Sequence, residues 1–432
     1  MRISTAQMAE LSLNSMNRQQ AKLSQTQLKI STGQALLSPS ENPYASSRAL
    51  RLEESIATFE QYQVNAGYAR DRLVTEEGVL EGVGNLLQRV RELTLNAISD
   101  SQTAESRKFI AAEVRQLYDQ MLSLANSTDA NNEYLFAGYQ GKTKPFVPNA
   151  TTGRVEYKGD DGQRFLKVGP STNVAVSDSG EAVFYNIRNG NGTFVTEDDA
   201  NNTGTGIIDP GSVLGNYVPE DYTIKFIPPT SPPNQPDDPV EYYVLDRNGD
   251  IVVPSAYAGS TEAVFTADVA ANLTSGIPYE EGSLIQGLDS NGAQVSISGE
   301  PAAGDVFYVK RSRYQEVFQT IKNLYTVLEE PINDDSDRAR FHNAMNRVLV
   351  DVDQALGTVL DARARVGARL NITDKQFEIN ESFNLQMKQT LSSVKDLDFA
   401  QAVTDLNLQL AGLQAAQNAY TKVQGLSLFN YL

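Results

Sequence analysis

The stretch KISTGQALLSPSENPYASSRAL, residues 29–50, stops a helical pattern and then restarts it. Gly33, Pro39 and Pro43 break the pattern, since glycine and proline both disfavour a helix interior. Asn42 before Pro43 reads as a new start. Asparagine caps the free N–H groups, and proline at the first helical position loses a donor that had no partner anyway. The chain therefore opens with a short helix, breaks, and begins a second helix whose length sets the fold class.

Working outward, Leu52, Phe59, Ala66, Leu73, Leu80 and Leu87 recur every seven residues, with Val83 and Val90 on an adjoining stripe. Far along the chain, Phe341, Met345, Val348, Val352, Ala355, Val359, Ala362 and Val366 alternate steps of four and three. Both are coiled-coil seams, and two such long stripes bury most simply against each other as an antiparallel rod. The extreme ends repeat the theme with Met16, Leu23, Ile30 and Leu37 at one terminus and Phe399, Val403, Leu406, Leu410, Leu413, Tyr420 and Val423 at the other. Gln20 and Gln27 occupy seam positions of the first of these, so the terminal pair lacks the apolar area to stand alone and needs partners. Residues up to about Leu37 and from about Asp396 are expected to order only in an assembly.

Between the helical ends the composition changes. Of 17 prolines, 14 fall from Pro145 to Pro301, and residues 151–305 hold 23 acidic and 7 basic residues. EYYVLDRNGDIVV, residues 241–253, places Asn248-Gly249 between two β-rich runs, a strong hairpin signal. The expected fold is mainly α with an inserted β domain. Residues 1–40 with 396–432 form a terminal coiled-coil domain, 41–150 with 306–395 a helical rod, and 151–305 an acidic, antiparallel β insertion.

Composition excludes much chemistry. The 432 residues include no cysteine and one histidine, His342, so thiolate catalysis, Cys-ligated zinc and any two-imidazole site are absent. A net charge of −18 disfavours a nucleic-acid partner, and neither a membrane span nor a cleavable apolar leader is visible. Three motifs read as decoys. Gly141-Lys142-Thr143 ends like a phosphate loop, but Phe136 stands at the required first glycine and Pro145 and Pro148 block the following helix. Asp246, Asn248 and Asp250 have calcium-loop spacing, yet Ile251 and Tyr257 replace the glycine and the bidentate glutamate. Asp334, Asp335 and Asp337 precede a long helix, whose dipole favours acids at that end. No nucleophile, base and oxyanion site assembles, and no cofactor is implied.

The residues also carry a family resemblance. The opening stretch resembles the segment of bacterial flagellins and their junction proteins that joins the terminal helix to the long helix. LLQRVRELTLNA (86–97) and RARVGARLN (363–371) resemble the two rod signatures of that family. MRISTAQM (1–8), NEYLFAGYQGKTKPF (132–146) and LSLFNYL (426–432) are similar to the hook-filament junction branch, FlgL type or hook-associated protein type 3, more than to flagellin itself.

The resemblance implies a non-enzymatic structural adaptor joining flagellar hook to filament. It would be exported by the flagellar type III pathway and located in the extracellular flagellum. The implied partners are copies of itself in a ring or helical layer, the first hook-filament junction protein, flagellin and an export chaperone. Met16, Leu23, Ile30, Leu37, Phe399, Val403, Leu406, Leu410, Leu413, Tyr420 and Val423 would form the assembly interface, and Gly33, Pro39 and Pro43 the spoke between inner and outer helices. Leu52, Phe59, Leu73, Leu80, Leu87, Phe341, Met345, Val348, Val352, Val359 and Val366 would form the rod core. Two other readings are a flagellin forming the filament body and a surface adhesin whose central domain binds glycans. For the latter, Tyr217, Tyr222, Tyr242, Tyr243 and Tyr257 could line a site, although tyrosines in a small β domain more often pack.

Overall fold

The computed structural model describes residues 5–99, 102–215, 217–218, 220–230, 239–271, 274–289 and 292–425. Seven α-helices are found among them: α1 (Thr5–Thr32), α2 (Pro43–Ile98), α3 (Ala104–Ala125), α4 (Glu262–Ala270), α5 (Val317–Glu329), α6 (Asp335–Lys395) and α7 (Phe399–Gly425). None of these helices is long and apolar enough to cross a membrane. MRIS at the start and LSLFNYL at the end of the family pattern lie outside the described residues.

The chain divides into two compact units. The first contains residues up to Gly67, Lys167–Thr172 and Asp374 onward; the second contains Tyr68–Leu166 and Asn173–Thr373. These cuts differ from the three domains drawn from composition, because α2 and α6 each contribute residues to both units.

In the first unit α1 packs on α7. The early part of α2 pairs antiparallel with the late part of α6. Glu53 meets Lys395 at 2.8 Å and Glu60 meets Lys388 at 2.7 Å, while the Phe59 and Phe383 rings lie 5.6 Å apart. Lys167–Thr172, the tip of a β-hairpin, joins this pair. Asn65 donates to Lys167 O and the fully buried Asn380 donates to Val168 O, both at 2.8 Å.

The second unit has a dense helical core. Leu73, Leu80 and Leu87 on α2 and Met345, Val352, Val359 and Val366 on α6 are sealed from solvent. The helices are again antiparallel, since Glu77 pairs with Arg363 and Arg91 with Asp353. The two-stripe reading omitted α3 and α5. They pack together, Tyr118 meeting both Phe318 and Tyr325 edge-on, and Arg115 gripping Glu329 with two nitrogens.

The six-stranded sheet also lies in this unit. Its strands are β1 (Phe194–Asp198), β2 (Tyr222–Ile227), β3 (Glu241–Leu245), β4 (Ile251–Val253), β5 (Ile277–Pro278) and β6 (Val306–Arg311). The order is β4-β3-β2-β6-β1 with β5 also beside β3, and each pair is antiparallel. Strand β2 alternates buried and half-buried residues, as a sheet with one well-covered face requires. Phe194, Phe226, Tyr242 and Phe307 fill one core, while Tyr243, Leu245 and Ile251 pack on Phe265 of α4. The Asn248-Gly249 turn joins β3 to β4 as expected, with Gly249 at φ +83°.

Candidate assembly surface

Gly33, at φ +70°, closes α1 by donating to Lys29 O at 2.9 Å. A residue with a Cβ would be strained there, which is why a glycine ends this helix. The break after α1 then pairs with the break between α6 and α7. Leu397 N–H donates to Gly33 O and Ala35 N–H donates to Lys395 O, each at 2.9 Å, and Gln34 bridges Asp396 antiparallel. Phe399 sits against this junction, its ring edge beside Gly33.

Helix α2 begins at Pro43, and Asn42 Oδ1 accepts from Ala45 N–H at 3.1 Å, the cap anticipated for it. Pro39 and Pro43 are both exposed. The loop is tied back to α1 by Glu41, which pairs with Lys29 at 2.8 Å and accepts from Gln25. The hydrogen-bonded Lys29 ammonium holds the Glu41 carboxyl below the usual carboxylate range. A small cavity of about 200 Å³ opens beside the loop, lined by Leu36, Leu37, Pro39, Leu50 and Lys395 among others.

The seam residues of the terminal helices divide by exposure. Leu23 is buried; Met16, Ile30, Leu37, Leu406, Leu413 and Tyr420 are half-buried; Phe399, Val403 and Leu410 are exposed at 54, 46 and 44 %. The Val423 side chain lies outside the described residues. In the helical seam, Leu52 and Phe59 of the first unit are half-buried, whereas Leu73, Leu80, Leu87, Phe341, Met345, Val348, Val352, Val359 and Val366 of the second are buried.

Further apolar side chains stand off the seams. Leu28, Leu50, Val64, Phe383, Leu385 and Leu408 of the first unit are all more than half exposed. Against them, the buried apolar residues described in that unit are Leu23, Ala49, Ile56, Ala66, Val168 and Ala402. The sequence reading passed over this second set, although four leucines at 406, 408, 410 and 413 are too many for one helical stripe.

The decoy motifs have structural roles. Asp334 Oδ1 accepts from Asp337 N–H at the start of α6, and Asp246 Oδ1 accepts from Asn248 and Asp250 N–H in the hairpin turn. Strand Phe146–Pro148 follows Lys142-Thr143 where a phosphate loop needs a helix. Tyr222, Tyr242 and Tyr243 are core residues of the sheet unit, and Tyr217 and Tyr257 are half-buried. Among the described residues there is no cluster of three or more metal-ligating acids, histidines or cysteines.

Comparison with known proteins gives a consistent set of relatives. The bacterial flagellin N-terminal helical region matches residues 3–141. Flagellar hook-associated protein 3 of Escherichia coli is 22% identical over 430 residues, 99% of each chain. The crystal structure of flagellar hook-associated protein 3 from Legionella pneumophila is 31% identical, with TM-score 0.71 over 79% of this chain and 98% of that one. Xanthomonas campestris FlgL is 31% identical, with TM-score 0.67 over 79% and 99% of the two chains.

Proposed function

The chain belongs to the flagellar hook-associated protein 3 family, the FlgL junction proteins, and from that premise we propose that its first unit is the surface through which it is built into the flagellum. It is a structural component of the hook-filament junction, in association with hook and flagellin proteins.

One observation carries the assembly reading: the first unit has four helices but few buried apolar side chains larger than alanine, while large apolar residues on all four are uncovered. Such an area is unfavourable in a free subunit and becomes favourable when another surface removes it from water. Copies of the chain, the first junction protein and flagellin are the proposed covering partners. The inferred sequence of events is export of an unfolded chain by the type III pathway, held beforehand by a chaperone, then completion of the terminal core on arrival. Gly33 to Pro43 acts as the spoke between the terminal pair and the longer helices. No catalytic step is assigned.

The absence of cysteine makes the test clean. Leu28→Cys and Leu410→Cys place single thiols on exposed positions of α1 and α7. Each thiol is expected to react readily with a maleimide in dilute monomer and to be protected in isolated flagella. Intact flagella that contain the variants but in which both thiols react as fast as in the monomer would contradict the assignment.

A further inference from the structure

The second unit holds a groove of about 770 Å³, within the range of small-molecule sites. Its walls come from strand Val155–Tyr157, the single turn Glu181–Tyr185 and the segment from Tyr314 into α5. Tyr157, Tyr185 and Tyr314 supply aromatic faces. The first two are held from behind, since Phe146 lies 5.3 Å from the Tyr157 ring and 6.2 Å from the Tyr185 ring. Arg188 lies 4.3 Å over Tyr314 and fixes a ring that is still 60 % exposed.

The polar lining narrows the ligand. Glu156 is already paired with Lys158 at 2.6 Å and accepts from Asn149, and the neighbouring Asp161 carboxyl pushes Glu181 above the usual range. Burial likewise raises Glu316. Arg154 also lines the groove, its positive charge set against the Glu316 carboxyl, so neither sign of charge dominates the lining. The Glu316 carboxyl lies within reach of the Tyr185 hydroxyl, while its oxygen Oε2 is buried without a well-aligned hydrogen-bond partner and is left for a ligand donor. Flat rings beside carboxyl and carboxamide groups match a ligand with C–H faces and a rim of hydroxyls.

We infer that this groove binds an uncharged oligosaccharide, stacked on Tyr314 and donating a hydroxyl to Glu316. The sequence had pointed any glycan site at the sheet tyrosines, whose rings are largely committed to packing; the groove uses a different set at the base of α5.

The test titrates the full chain with maltotriose and N,N′-diacetylchitobiose by saturation-transfer NMR and calorimetry, with 3′-sialyllactose and heptalysine as charged comparisons. At least one neutral sugar is expected to saturate with Kd on the order of 1 mM. Tyr314→Ala is expected to weaken it at least tenfold and Glu316→Gln severalfold, both with unchanged melting temperatures. Phe109→Ala, an exposed aromatic on α3 outside the groove, is expected to leave binding intact. The inference is overturned by any of three results: no saturation by either neutral sugar at about 20 mM, equal binding in Tyr314→Ala, or binding confined to the charged ligands.

Discussion

Asp178 donates its backbone N–H to Oε1 of Glu76 at 3.0 Å inside the second unit, where both side chains are almost fully buried. Arg369 pairs with the same aspartate at 2.9 Å, and Arg72 approaches from the side of Asp129. Burial first, and the Asp178 charge second, push Glu76 up to about 8; the Asp178 N–H and the two arginines pull the other way. The folded chain thus keeps a proton that the unfolded chain releases near 4.5. Between those values the unfolded state binds fewer protons, so stability falls as pH rises, by up to roughly 1.4 kcal/mol per unit. Asp351, raised to about 6 mainly by burial, adds the same sign at the lower end. Urea unfolding at pH 5 and pH 8 is expected to show a loss of stability in the parent chain that Glu76→Gln largely removes. An identical loss in the variant would place the titration elsewhere.

Leu87 and Val352 lie on the buried seam of the second unit, both fully shielded. Leu87→Asp or Val352→Asp puts a carboxylate there without a partner, at a cost of several kcal/mol against a typical total of about 5–15. Circular dichroism melts of either variant are expected to show a large fall in melting temperature or no folded state. A melt like that of the parent would mean the seam is not the core.

Asn380 bridges the hairpin tip and α6, accepting from Gln376 while donating to Val168 O. Asn380→Leu fits the helix but strands that buried carbonyl, costing about 1–3 kcal/mol. Native-state hydrogen exchange is expected to speed up in residues 374–395 of the variant. Unchanged protection there would show that the tip contributes nothing to the first unit.

The pattern of success in the sequence reading follows from what periodicity measures. A seven-residue repeat reports which side of a helix is apolar, not whether the same chain covers it. Leu52, Phe59, Leu73, Leu80 and Leu87 share one repeat, yet the first two are half-buried and the last three sealed. The hairpin at Asn248-Gly249 and the cap at Asn42 were legible because local backbone chemistry decides them. The docking of Lys167–Thr172 beside Asn65 and Asn380 was not, since turn residues state that a chain reverses and never where its tip lands. The order β4-β3-β2-β6-β1 was hidden for the same reason, as β2 and β6 are distant in sequence. The terminal helices, expected to order only in an assembly, are formed as a pair here, with a thin core.

Phe399 and Leu408 are exposed on α7 and contribute little to the subunit's own core. Phe399→Ser and Leu408→Ser are expected to leave the monomer's melting temperature nearly unchanged while preventing incorporation into flagella, scored by immunoblot of sheared filaments. Normal incorporation of the double variant would remove α7 from the interface.

The most direct measurement of the central claim is deletion of the gene in its own bacterium, with electron microscopy of the cell surface and assay of flagellin in the medium. A junction protein predicts hooks without filaments, flagellin shed into the medium, and loss of swimming restored by the intact gene but not by the Phe399→Ser/Leu408→Ser form. Full-length filaments on the deletion strain would contradict it.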